Sequence, residues 1–132
     1  MKKNNLAYAK EWFHRADEDE LSCAALLKDK ISPGNVCFLA EQCAEKYLKG
    51  LIISTNKEFE KIHDLNKLAN LLKGDFPKIA VIMDDLYFLN KCYISSRYPG
   101  GFTEIAEWPQ AEQAVEVAKK VKKFVLDQVF DS

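Results

Sequence analysis

The stretch Ile94 to Gly101, "ISSRYPGG", puts a guanidinium where chemistry can use it. Pro99 cannot continue a helix and restricts Tyr98 to extended geometry, so a helix entering this stretch must stop there. Arg97 then occupies the last helical turn, where the helix dipole favours a cation. Its planar fork can also grip a carboxylate or a phosphate through two parallel hydrogen bonds. Carboxylates for such a contact occur in "RADEDEL". There Asp17 and Glu20 fall on the same side of a helical wheel as Phe13, Ala16 and Ala24, whereas Glu18 and Asp19 do not. An acid turned toward an apolar face is costly unless paired. The two therefore predict a buried cationic or donor partner, Arg97 being one candidate; the plainer alternative is a wet helix seam.

Other groups carry weaker signals. Gln42, Glu45, Lys46 and Lys49 share an arc of about 100° opposite the apolar face of their segment. Glu45 and Lys49 have the polarity of a favourable i,i+4 pair. The arc reads as solvated, yet Phe38 and Ile53 interrupt it, which points to a subunit contact. Lys46 and Lys49 could add charge to a phosphate site, and Tyr93 or Tyr98 could stack on a base. His63 precedes Asp64 at a helix start and reads first as a capping-region residue; His14 reads as solvated. The lysines of "KKVKK" at 119–123 complement a helix C-terminus without needing nucleic acid. Cys23, Cys37, Cys43 and Cys92 form no C-x-x-C pair and read as buried thiols of a reducing compartment. No metal site and no cofactor are predicted.

Five segments must position these groups. Asn5 to Lys28 places Leu6, Ala9, Phe13, Ala16, Ala24 and Leu27 on one face. Ser32 and Pro33 read as N-cap and first helical residue of a segment to Ser54, with Val36, Ala40, Cys43, Ala44, Tyr47, Leu48 and Leu51 inward. "HDLNKLANLLKG" predicts a short helix capped by Asp64 and stopped by Gly74. Ile79, Ile82, Leu86, Leu89 and Tyr93 make a fourth, and Ala111 to Val125, after Pro109, a fifth. "IAVIMDD" could pass for a buried strand, but its helical spacing continues to Tyr93, and no G-x-x-x-x-G-K-[ST] accompanies it. The expectation is an all-α, up-and-down antiparallel four-helix bundle with one additional short helix, a single domain over 1–132. The connection Ser95–Trp108 is the longest, as functional loops tend to be.

The net charge of −1 argues against a strongly basic nucleic-acid coat. The longest apolar run, Ile79 to Met83, is far too short to span a bilayer, so no membrane partner is expected. The first twenty residues lack the apolar region of a signal peptide, which leaves the cytoplasm as the default.

Four blocks in order, "EWFHRADEDELSCAALL", "CFLAEQCAEKYLKGLI", "KIHDLNKL" and "SSRYP", together resemble the HEPN domain (higher eukaryotes and prokaryotes nucleotide-binding) over nearly the whole chain. The resemblance implies a helical bundle that usually forms a homodimer. For short prokaryotic members it implies a neighbouring minimal nucleotidyltransferase partner, often in a toxin–antitoxin pair. Other members are metal-independent ribonucleases carrying an arginine followed, after four to six residues, by a histidine. Arg97 matches that arginine, but the histidine positions hold Phe102, Thr103 and Glu104. The implied protein is a non-catalytic binder of a nucleotide or RNA phosphate or of a nucleotidyltransferase, with Arg97, Tyr98, Tyr93, Lys46 and Lys49 in its site. The alternatives are an atypical ribonuclease using His63, and a structural interaction module whose Arg97 neutralises Asp17 and Glu20.

Overall fold

The computed structural model describes residues 3–59, 61–97 and 107–130, with side chains over 5–59, 61–92 and 107–130. Five α-helices form in order: α1 (Lys3–Lys28), α2 (Pro33–Ser54), α3 (Leu65–Leu72), α4 (Met83–Arg97) and α5 (Trp108–Phe130). A 3-10 turn, Pro77–Ile82, leads into α4, and no strand is present among the described residues. Four long helices run up and down, with α3 as the short addition.

The ends are set by local chemistry. Ser32 caps α2, its hydroxyl accepting the Asn35 N–H at 3.3 Å, with Pro33 just inside the helix. Asp64 caps α3 by accepting the Lys67 N–H at 3.0 Å. The Asn90 side chain ties α3 to α4: its oxygen accepts the Leu65 N–H at 3.0 Å and its amide donates to Asn66 at 2.9 Å. Where the spacing of 79–85 predicts one continuous α-helix, the chain first tightens into the 3-10 turn. Pro77 opens it, and the Ile79 N–H returns to the Phe76 carbonyl at 3.0 Å.

The inward faces of α2 and α5 follow the predicted wheels, every named position being buried. On α1 the face differs at its C-terminal end, where Cys23 is buried and Ala24 exposed. The buried positions Ala9, Phe13, Ala16 and Cys23 follow a seven-residue repeat, as two helices packed at a shallow crossing angle require. That register also turns Glu20 into the seam.

α2 is the central helix. It packs on α1, α3, α4 and α5, whereas α1 and α4 do not touch among the described residues. Fourteen of its residues are buried, including Glu41, Glu45 and Lys49. The polar arc read as solvated is therefore largely internal. Ile53 is buried by its own chain, so it does not mark a subunit contact.

Candidate functional site

Glu41, Glu45 and Lys49 stand at successive turns of α2, with only 2, 5 and 5% of their surfaces exposed. Buried charges require partners, and these have them. Lys49 Nζ donates to Glu45 Oε2 at 2.8 Å. Above it lie two aromatic rings, Phe59 with its centre at 5.0 Å and Trp12 at 5.7 Å, in edge-to-face contact with each other. His63 reaches the same carboxylate from the segment before α3, Nδ1 to Glu45 Oε2 at 3.1 Å, with 71% of its side chain in solvent. The Gln42 amide donates to Glu41 Oε2 at 2.9 Å.

Burial, then the Glu45 charge, pushes the Glu41 carboxyl up to about 8, against the Gln42 amide and Lys49, which hold it down. At neutral pH Glu41 is therefore largely protonated. Its carboxyl is within hydrogen-bonding reach of Glu45. Glu45 Oε1 otherwise has no donor. The row reads outward as a neutral acid, a carboxylate held by a buried ammonium, and an exposed imidazole oriented by that carboxylate. An imidazole held at Nδ1 presents Nε2 to solvent, an arrangement suited to proton transfer or to binding an anion.

A second polar seam joins α1, α2 and α5. Lys122 Nζ meets Asp17 Oδ1 at 3.0 Å and Glu20 Oε1 at 2.9 Å, and the Tyr47 hydroxyl donates to Asp17. Lys46 holds Asp19 at 2.6 Å. Burial opposes the Lys122 charge, but the hydrogen bonds to Glu20 and Asp17 outweigh it and raise the ammonium. Burial and the Asp17 contact push the Tyr47 phenol up.

Several expectations are corrected by these contacts. Lys49 is not available to a ligand: it is enclosed by Glu45, Trp12 and Phe59. Lys46 is engaged with Asp19. Asp19 joins the seam with 17% of its side chain exposed, whereas Asp17 keeps 44%, so Asp17 is half-wet rather than buried. The cation beside Asp17 and Glu20 is Lys122, which reads from sequence as a solvated lysine. The α4 backbone is helical through Arg97, but the side chains of Tyr93 and Arg97, and Tyr98 entirely, lie outside the described residues. So does the 98–106 part of the long connection, with Phe102, Thr103 and Glu104.

Glu41, Trp12, Phe59 and Lys122 are absent from any sequence reading of a site. For Glu41 a signal existed: it continues the row of Glu45 and Lys49 one turn earlier, follows Ala40 in sequence and lies beside Ala44 on the wheel.

The HEPN domain family model matches residues 9–128. The chain belongs to the HEPN family. Two solved HEPN-like folds resemble it. TT1696 from Thermus thermophilus superposes with a TM-score of 0.82 at 25% identity, over 92% of this chain and 98% of that one. ST0689, an archaeal HEPN homologue, gives a TM-score of 0.73 at 26% identity, over 97% and 98%. No curated protein matches significantly. In this HEPN bundle Cys37 of α2 and Cys92 of α4 are both buried in the core, where the two helices pack on each other.

Proposed function

We propose that this HEPN protein binds a nucleotide or an RNA phosphate through Arg97 and does not cleave it. One observation carries the reading: a family-matching arginine closes α4, while Phe102, Thr103 and Glu104 fill the places where the ribonuclease members have histidine. Without that imidazole no group of near-neutral pKa follows the arginine to move a ribose proton. A guanidinium alone still binds and stabilises phosphate charge. Tyr93 and Tyr98 complete the proposed site as stacking partners. Lys46 and Lys49 are left out of it because both are held in internal ion pairs. The structural-module reading lacks support for a similar reason, since Lys122 already neutralises Asp17 and Glu20.

The protein acts in this reading as a cytoplasmic homodimer that works with a minimal nucleotidyltransferase, in a module of the toxin–antitoxin kind. Membership of the family supports these points.

The experiment is thermal denaturation with ATP and with a short single-stranded oligoribonucleotide. Either probe raises the melting temperature of the wild type, and Arg97→Ala abolishes the rise while leaving the ligand-free melting temperature unchanged. No rise with either probe contradicts the reading.

A second reading has one observation in its favour, the contact of His63 with Glu45 at 3.1 Å. That imidazole could stand in for the missing one and make the protein an atypical ribonuclease. Its signature is cleavage of the oligoribonucleotide that disappears in both Arg97→Ala and His63→Ala.

A further inference from the structure

The first turns of α1 and the chain just past the end of α2 enclose a cleft of about 790 Å³, a volume in the range of small-molecule sites. Its walls follow from local chemistry. After α2 ends at Ser54, the Thr55 and Asn56 N–H groups turn back to the Ile52 and Ile53 carbonyls, both at 3.0 Å. Asn56 takes a left-handed backbone, φ 66°, which asparagine tolerates better than most residues. The chain that leaves this turn is held at two points. Lys57 Nζ meets Asp75 at 2.7 Å and the Leu71 carbonyl at 3.3 Å. Two residues on, Phe59 packs edge-to-face on Trp12, ring centres 5.6 Å apart.

The other wall is α1. Asn5, Tyr8 and Trp12 share one face of it at three- and four-residue spacing. The Tyr8 ring tilts against Trp12 at 6.5 Å and is 51% exposed. Among the described residues the cleft thus presents two aromatic rings, Tyr8 and Phe59, and Ile53 between two amides, Asn5 and Asn56, and the Glu58 carboxylate. The charges narrow what fits. Lys57 also lines the cleft, but its ammonium is paired with Asp75. Glu58 has no ion-pair partner among the described residues, so the lining disfavours a phosphate. Phe59 and Trp12 already carry the Lys49 ammonium at 5.0 and 5.7 Å, which weakens their attraction for a second cation. The occupant that suits this lining is an uncharged flat ring system that stacks on aromatic rings and gives N–H groups to a carboxylate.

We propose that this cleft binds a guanine-type base, stacked on Tyr8 and Phe59 and held at its edge by Glu58. Guanine sets a ring N–H and an exocyclic amine side by side, so the two carboxylate oxygens accept one hydrogen bond from each. An asparagine amide donates to the neighbouring carbonyl oxygen of the base. Adenine puts a ring-nitrogen lone pair where guanine has the N–H, and that lone pair faces the carboxylate unpaired. A site built on such hydrogen bonds rejects the analogue that cannot make them. The base arrives in a free nucleoside or within a single strand, and the recognition is the same for both. It needs no phosphate, so it does not rest on the Arg97 reading.

The test is equilibrium dialysis of the full-length protein against radiolabelled guanosine. Binding is saturable, and unlabelled adenosine competes at least about tenfold more weakly than unlabelled guanosine. Tyr8→Ala and Glu58→Gln each weaken binding at least about tenfold, the first by removing a stacking face and the second by removing one of the two acceptors. Both side chains are exposed, so the variants keep the wild-type melting temperature. Arg97→Ala binds guanosine as the wild type does. With guanosine bound, competition by an oligoribonucleotide that contains guanosine assigns the base to a strand, and its failure assigns it to the nucleoside. No saturable binding of guanosine, equal competition by adenosine, binding that survives Tyr8→Ala and Glu58→Gln, or binding lost in Arg97→Ala would overturn the proposal.

Discussion

Glu41 and Glu45 sit one helical turn apart on α2, both almost dry, and their carboxyls come within hydrogen-bonding reach of each other. Two like charges at that separation in a low-dielectric setting cannot both persist cheaply. Lys49 and His63 stand with Glu45, so the unfavourable ionisation falls on Glu41.

Glu41 therefore costs stability. Its folded-state value, about 8, lies above its unfolded value of 4.5. The folded protein then holds more protons than the unfolded chain between these values, and stability declines as pH rises through that window. The penalty at neutral pH is on the order of 3 kcal/mol. Glu41→Gln keeps a hydrogen-bonding group and removes the titration. The variant melts higher than the wild type near neutral pH, and the gap closes as pH falls toward 4.5. Thermal melts across that range check it, and parallel curves would contradict it.

Removing Lys49 has the opposite sign. Lys49→Met leaves the Glu45 carboxylate in the core with a solvent-exposed imidazole as the one cationic partner described beside it. Loss of one partner of a buried pair costs about 3–5 kcal/mol. The double variant Lys49→Met, Glu45→Gln recovers most of that loss, because no buried charge remains. Urea unfolding of the three proteins measures the coupling; additive effects would mean the pair is solvated.

Gly50 tests the α1–α2 seam. In a helix, alanine normally gains about 1 kcal/mol over glycine. A Cβ at Gly50, however, would overlap the Phe13 ring and press on the Ala9 carbonyl at 3.2 Å. Phe13 is stacked on Tyr47 at 5.4 Å and has little room to retreat. Packing outweighs propensity, and Gly50→Ala destabilises by about 1–3 kcal/mol. A stabilised variant in denaturant titration would contradict this close approach.

The helices are legible in the sequence because their apolar positions recur at helical spacing and their caps are chemically explicit, as at Ser32 and Asp64. The charge row on α2 is not, for a physical reason. A helical wheel assigns polar arcs to solvent, but α2 has neighbours on every side, and a paired Glu45 and Lys49 can enter the core as a unit. What covers them, Trp12 and Phe59, comes from distant sequence with no local signal. Lys122 is hidden likewise: its role depends on how α5 lies against α1, which the periodicity of "KKVKK" does not encode. Asp17 and Glu20 do carry their own signal, since acids beside Phe13 and Ala16 demand a cation.

The most direct measurement of the central claim is the fluorescence anisotropy of an end-labelled single-stranded oligoribonucleotide titrated with wild type and Arg97→Ala, followed by gel analysis of the probe. Saturable binding, weakened at least about tenfold in the variant, with the probe recovered intact, is the predicted result. Equal binding by both proteins, or none by either, would contradict a phosphate anchor at Arg97, and a cleaved probe would contradict a binder without catalysis.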